Sequence, residues 1–103
     1  MIKRKSRYDV IEELSKHPEW KIADLGSGSK GACPHANIFL DKNDHSDYFK
    51  DKDFRLHDLT QLPLPFEDKE LDFCWASHVL EHMPDPIGFI NEIVRISKRG
   101  YIE

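Results

Sequence analysis

Asp24, Asp41 and Asp58 each close a short apolar run, and Gly26, Gly28 and Gly31 follow the first as G-x-G-x-x-G. Glycine after a strand lets the backbone turn sharply and approach a ligand closely, because no Cβ intervenes. Alone, the pattern equally describes a flexible surface turn. The aspartates give it a chemical direction. At the carboxyl end of a second parallel strand, the Asp41 carboxylate can accept from both hydroxyls of a ribose. Asp58, closing a third strand, can accept from an exocyclic amine. If the strands are parallel neighbours, all three acids point toward one crevice. Asp24 lies two residues before the first glycine, where it repels a pyrophosphate and attracts an ammonium. The expected ligand is therefore cationic and carries a ribose.

A second constellation is His78-Val79-Leu80-Glu81-His82. It matches H-x-x-E-H, in which two histidines one helical turn apart bind zinc and the glutamate acts as a base. Pro84 and Pro86 cut any such helix short, and residues 83–103 offer no third ligand at plausible spacing. No metal is expected, and zinc hydrolysis is a distant alternative. His78 leaves the carboxyl end of a strand at the same crevice and is the first candidate for a catalytic base, with Glu81 second. His82 reads as a loop polar residue. His17, His35, His45 and His57 show no ligand spacing.

These residues need elements to position them. Ser6 with Asp9 resembles a capping box, and Tyr8, Val10, Ile11 and Leu14 recur at helical spacing up to His17-Pro18. Residues 21–25, 37–41, 54–57 and 71–76 read as strands, the second with a run suited to burial on both faces and the third the weaker. The proline-broken TQLPLPFEDKE before the fourth is irregular. Asp85-Pro86 starts a helix with Ile87, Ile90, Ile93 and Val94 as its apolar stripe, ending near Gly100. Tyr101-Ile102-Glu103 begins a fifth strand. Residues 26–36 and 42–53 are all that separates the first three strands, so a crossover helix hardly fits in either.

Composition bounds the rest. A chain of 103 residues, 39% hydrophobic and 33% charged, fits one small globular domain over 1–103. Lysine and arginine total 15 against 19 acidic residues, a net charge of -4, so no nucleic-acid partner is indicated. The basic start, Lys3-Arg4-Lys5 with Arg7, reads as a solvated terminus. No apolar run spans a bilayer and no signal region follows the basic start, so no membrane partner and a cytoplasmic location are expected. Cys33 and Cys74 are expected as reduced thiols.

The segment KIADLGSGSKGACPHANIFLDKN, with HDLTQLPLPFEDKELDFCWASHVLEHMPDPIGFINEIVRISKRGYIE, resembles the class I S-adenosylmethionine-dependent methyltransferases. The second block, with PF-x-D-x-x-x-D and SHVLEH-x-x-D-P, is the more specific. The resemblance implies an α/β fold: a Rossmann-like, mostly parallel sheet, minimal or truncated, with shortened crossovers. It implies S-adenosylmethionine as cofactor. Asp24, Gly26, Ser27 and Gly28 would hold its methionine end, Asp41 with Lys42 its ribose, and Asp58 with Leu59 its adenine. Ala76, Ser77 and His78 would sit beside the transferable methyl. Such enzymes often carry a third glycine where Ser29 stands, and a helix where KGACPHA stands. They normally continue through further helices and two final strands, so the chain reads as a domain lacking them. The expected reaction is methyl transfer to oxygen or nitrogen of a small-molecule or glycan-type acceptor, with completion by a homodimer or another polypeptide. A non-catalytic cofactor-binding or interaction module is the alternative.

Overall fold

The computed structural model describes residues 6–103, so Lys3, Arg4 and Lys5 of the basic start lie outside the described residues. Helix α1, Arg7–Ser15, begins where the Ser6 hydroxyl accepts from the Asp9 amide at 3.2 Å, and it buries Val10 and Leu14, one turn apart. Five strands follow: β1 Ile22–Leu25, β2 Ile38–Asp41, β3 Asp53–Leu56, β4 Phe73–Ala76 and β5 Gly100–Ile102. All pair parallel, in the order β3-β2-β1-β4-β5. This is the Rossmann-like arrangement expected, and its order reverses between β1 and β4. Every residue of β1 and of β4 is buried, which is why each reads as a continuous apolar run rather than an alternating one.

Each face of the sheet has its own core. Ala23, Leu25, Ile38, Leu40, Cys74 and Ala76 pack on one face with Leu59, Val79 and helix α2, Pro86–Ile96. Ile22, Phe73 and Trp75 point to the other face, where Val10 and Leu14 of α1 cover them together with Cys33. No helix forms between β1 and β2 or between β2 and β3. Loop side chains take that space: Cys33, Ala32 and Ala36 on the α1 face, and Phe49, which stacks on Phe39 at 4.4 Å and on Phe54 at 5.5 Å. Both cysteines are free and buried.

Helix α2 starts on Asp85, whose carboxylate accepts from the Gly88 amide at 2.9 Å, with Pro86 in the first turn where no amide hydrogen is required. Phe89, Ile93 and Ile96 are its buried residues, each contributing roughly 1.5–3 kcal/mol through burial. Ile87, Ile90 and Val94 face away from the sheet, so the apolar residues of this helix form two stripes and only one is packed. Arg95 ties the proline-broken segment down. Its guanidinium donates to the main-chain carbonyls of Leu64 and Phe66 and to the carboxylates of Glu92 and Asp68. Among the described residues, no helix is long and apolar enough to cross a membrane.

Candidate functional site

The carboxyl ends of β1 to β4 converge on a cleft of about 280 Å³. It opens at the point where the strand order reverses, the position at which open parallel sheets hold ligands. Gly26 comes from the turn after β1, Asp41, Lys42 and Asn43 from the end of β2, Asp58, Leu59 and Thr60 from beyond β3, and Ser77, His78 and Val79 from beyond β4. His82 and Met83 close one side.

The glycine turn is built by its hydrogen bonds. Gly26 and Ser27 amides both donate to the Leu40 carbonyl, at 2.8 and 2.9 Å, and the Gly28 amide donates to Asp41 Oδ2 at 2.8 Å. The turn is thereby fastened to the end of β2. Gly26 has φ +75°, and a Cβ there would lie 2.6 Å from Val79 Cγ2. Only glycine fits. Gly28 has φ +65°, but a Cβ there would meet nothing within 4 Å. That space is open, but Gly28 itself does not line the cleft. Asp41 also accepts from the Asn43 amide through Oδ1 at 2.9 Å, so its carboxylate is oriented from both sides.

Asp58 Oδ1 accepts from the Thr60 amide and hydroxyl at 2.9 and 2.8 Å, and these bonds hold its acidity above that of an ordinary carboxyl. Thr60 was not singled out from the sequence, although a threonine two residues after an aspartate is a recognisable local turn. Asn43, Val79, His82 and Met83 were likewise not assigned. Nothing in the spacing of Val79 or Met83 marks them as site residues.

Asp24 departs from expectation. Its register partners are Phe39 on β2 and Trp75 on β4, so its side chain points to the α1 face between two aromatic residues and not into the cleft. Oδ2 accepts from the Ala32 and Cys33 amides at 2.6 and 2.9 Å, while Oδ1 is buried without a partner among the described residues. The carboxyl is 0% exposed, and burial raises its pKa against the two amide bonds. Asp24 therefore pins the loop that replaces a crossover helix. The strand pleat explains the separation: Asp41 and Asp58 reach the crevice, whereas Asp24 lies beneath the turn. Ser27 is also buried, its hydroxyl donating to the Gly28 carbonyl, and Ala76 belongs to the core. Neither lines the cleft.

His78 has φ +56°, a left-handed conformation uncommon for a residue with a side chain, and that side chain is 78% exposed. Its Nδ1 lies 3.8 Å from Glu81 Oε1, and Glu81 does not line the cleft. Leu80–His82 is a single 3₁₀ turn, so His78 and His82 are not one turn apart on an α-helix as the zinc pattern requires. The Glu103 carboxylate joins this end of the site. It accepts from the Ser77 hydroxyl at 2.7 Å, the Tyr101 hydroxyl at 2.7 Å and Arg7 Nη2 at 3.0 Å. Ser77 first, then Tyr101 and Arg7, hold its carboxyl below the usual range. Arg7 is thus drawn into an ion pair, where a solvated terminus was expected.

A family model described as a methyltransferase domain matches residues 24–102. The chain belongs to this methyltransferase family, as its resemblance implied. A methyltransferase of Mycobacterium sp. (strain JLS) is 49% identical over 37 residues, which are 36% of this chain and 15% of that protein. Among solved structures, the trans-methyltransferase CalH in complex with SAH superposes with a TM-score of 0.66 at 18% identity, covering 93% of this chain and 34% of CalH. A chain of the complex between the Haloferax volcanii Trm112 methyltransferase activator and a methyltransferase gives a TM-score of 0.63 at 23% identity, over 91% of this chain and 52% of that one. These structures share the fold. The chain spans 52% of the Haloferax chain's length and 34% of CalH's.

Proposed function

We propose that the cleft binds S-adenosylmethionine and that the protein is a methyltransferase acting on oxygen or nitrogen of a small-molecule or glycan-type acceptor. The observation that carries this is the glycine turn fastened to Asp41, with Gly26 and Asp41 lining the cleft at the switch point of the sheet. The residues fit such a ligand. Asp41, with Lys42 beside it, is suited to the ribose hydroxyls, and Asp58 with Leu59 to the adenine, Leu59 offering the apolar contact. The turn of Gly26, Ser27 and Gly28 leaves room for the amino-acid end. Asp24 acts from beneath, through the loop it pins. The solved neighbour CalH is a complex with SAH, which favours the same cofactor here.

The cofactor supplies a methyl group on a sulfonium, whose leaving group needs no further activation. The chain's contribution is alignment and exclusion of water. Ser77 and His78 would border the methyl, with Ala76 fixing their start. His78 is the base when the acceptor arrives protonated, with Glu81 positioned to orient its ring. The isolated chain is proposed to act with a second polypeptide, in the first place another copy of itself. Working with a partner has a parallel in the activator complex of the Haloferax neighbour.

Calorimetry tests the reading. S-adenosylhomocysteine should bind and NAD should not. Asp41→Ala should weaken binding by roughly 1.5–3 kcal/mol, the range for hydrogen bonds to a charged group. Unchanged affinity in Asp41→Ala would remove the ribose assignment.

A further inference from the structure

The geometry points to Glu103 as a positioning residue that sets Ser77 and His78 from behind and is itself set by Arg7 of α1. This rests on the reading that Ser77 and His78 border the reacting methyl. Glu103 grips the segment after β4 at three points. Its amide donates to the Ala76 carbonyl at 3.0 Å, its carbonyl accepts from the His78 amide at 2.8 Å, and its Oε1 accepts from the Ser77 hydroxyl at 2.7 Å. The two main-chain bonds flank Ser77 and continue the parallel ladder of β4 and β5 past its end. The side-chain bond fixes the rotamer of Ser77, a buried cleft residue that would otherwise be free to turn.

The left-handed backbone of His78 needs such a grip. A non-glycine residue at φ +56° persists only when its surroundings over-determine it, and the Glu103 carbonyl is one of the constraints. Glu103 is held in turn. The Tyr101 hydroxyl donates to Oε2 and Arg7 Nη2 pairs with Oε1, while the Arg7 guanidinium lies 5.5 Å from the centre of the Trp75 ring. Trp75 is in β4, immediately before Ala76. Arg7 thus spans from α1 to the two strands whose ends carry the site. Its Nε is buried without a partner among the described residues, so the guanidinium is placed by the ion pair and the ring and has no competing acceptor at that atom. The seating of α1 is coupled by this chain of contacts to the two residues after β4.

The coupling is testable without ligand. In amide NMR spectra of the ligand-free protein, Arg7→Gln and Glu103→Ala should each shift the Ser77 and His78 resonances. Adding Arg7→Gln to Glu103→Ala should shift them less than the sum of the two single changes, because the ion pair with the Glu103 carboxylate is the shared link from Arg7 to Ser77 and His78. Glu103→Gln, which keeps an acceptor for Ser77, should restore the positions in part. A purely structural loosening would instead give additive shifts spread over α1 and β5. Ser77 and His78 amides unmoved by Arg7→Gln would overturn the inference, whatever the ligand. With S-adenosylhomocysteine, Arg7→Gln and Glu103→Ala should each lose roughly tenfold in affinity, within the range of coupling between contacting residues. Shifted amides in a parent that binds no S-adenosylhomocysteine would uphold the coupling and count against the cofactor reading alone.

Discussion

Asp24 sits between Phe39 and Trp75 with one oxygen satisfied twice and the other not at all, which makes its charge costly. Its folded pKa is raised above the ordinary 3.8, so the native state holds a proton that the unfolded chain has already released. The stability this contributes is complete below the unfolded value and is lost as the pH rises through the folded one. Glu103 and Asp72 have depressed values, and what they contribute is lost in the opposite direction, as the pH falls. Asp24→Asn removes the first dependence and leaves the second. Its stability relative to the parent should therefore improve between about pH 4 and about pH 7, read from urea melts at each. A constant difference would mean that Asp24 titrates normally. The glycines of the turn separate two roles. Gly26→Ala meets Val79 and a left-handed backbone together, and should cost roughly 2–4 kcal/mol of stability. Gly28→Ala meets only the backbone cost, about 1–2 kcal/mol, but strains the amide that donates to Asp41 and is expected to weaken the proposed ribose site. Thermal melts and S-adenosylhomocysteine titrations of the pair should rank them in opposite orders.

At the scale of elements, most of the fold was legible because strand and helix signals here are local. The Ser6 and Asp85 caps, the buried runs of β1, β2 and β4, and the absence of crossover helices between Leu25 and Ile38 or between Asp41 and Asp53 all follow from neighbouring residues. What was not legible depends on partners far along the chain. Arg95 has no role in the sequence reading, yet it holds Leu64, Phe66 and Asp68, some thirty positions earlier, and the chain's order gives no hint of this. The same holds for Arg7 and Glu103, at opposite ends of the sequence. The aspartates were half legible: their strand-end positions were correct, but whether each faced the cleft depended on pleat and register. Arg95 gives the prediction proper to this scale. Arg95→Ala should lower the melting temperature by roughly 4–8 °C, the shift expected of a domain this size losing about 1 kcal/mol. Arg95→Lys should recover little, because an ammonium cannot reproduce a planar fork serving several acceptors at once. Full recovery by lysine would mean that charge alone is at work.

For the whole molecule the question is what covers the outer stripe of α2. Ile87 and Val94 are 72% and 60% exposed, and Ile90 and Asn91 between them add no charge to that face. A contiguous apolar strip one helix wide is the kind of surface that monomers seldom leave in water. A second copy suits it. In a two-fold contact the same uncharged strip meets itself, with no like charges brought together and no new surface required. The sheet adds two open edges, β3 and β5, but β3 carries Asp53 paired to Arg55, a charged pair that discourages strand addition there. Association should therefore run through α2 and leave the cleft, at the carboxyl ends of the strands, free. Light scattering over a concentration series should show a dimer that Ile87→Lys with Val94→Lys converts to a monomer, with S-adenosylhomocysteine affinity unchanged. A parent that stays monomeric throughout would show that the strip needs no second copy. A dimer unaffected by the two lysines would move the contact to the β5 edge, where Tyr101 and Glu103 tie it to the cleft.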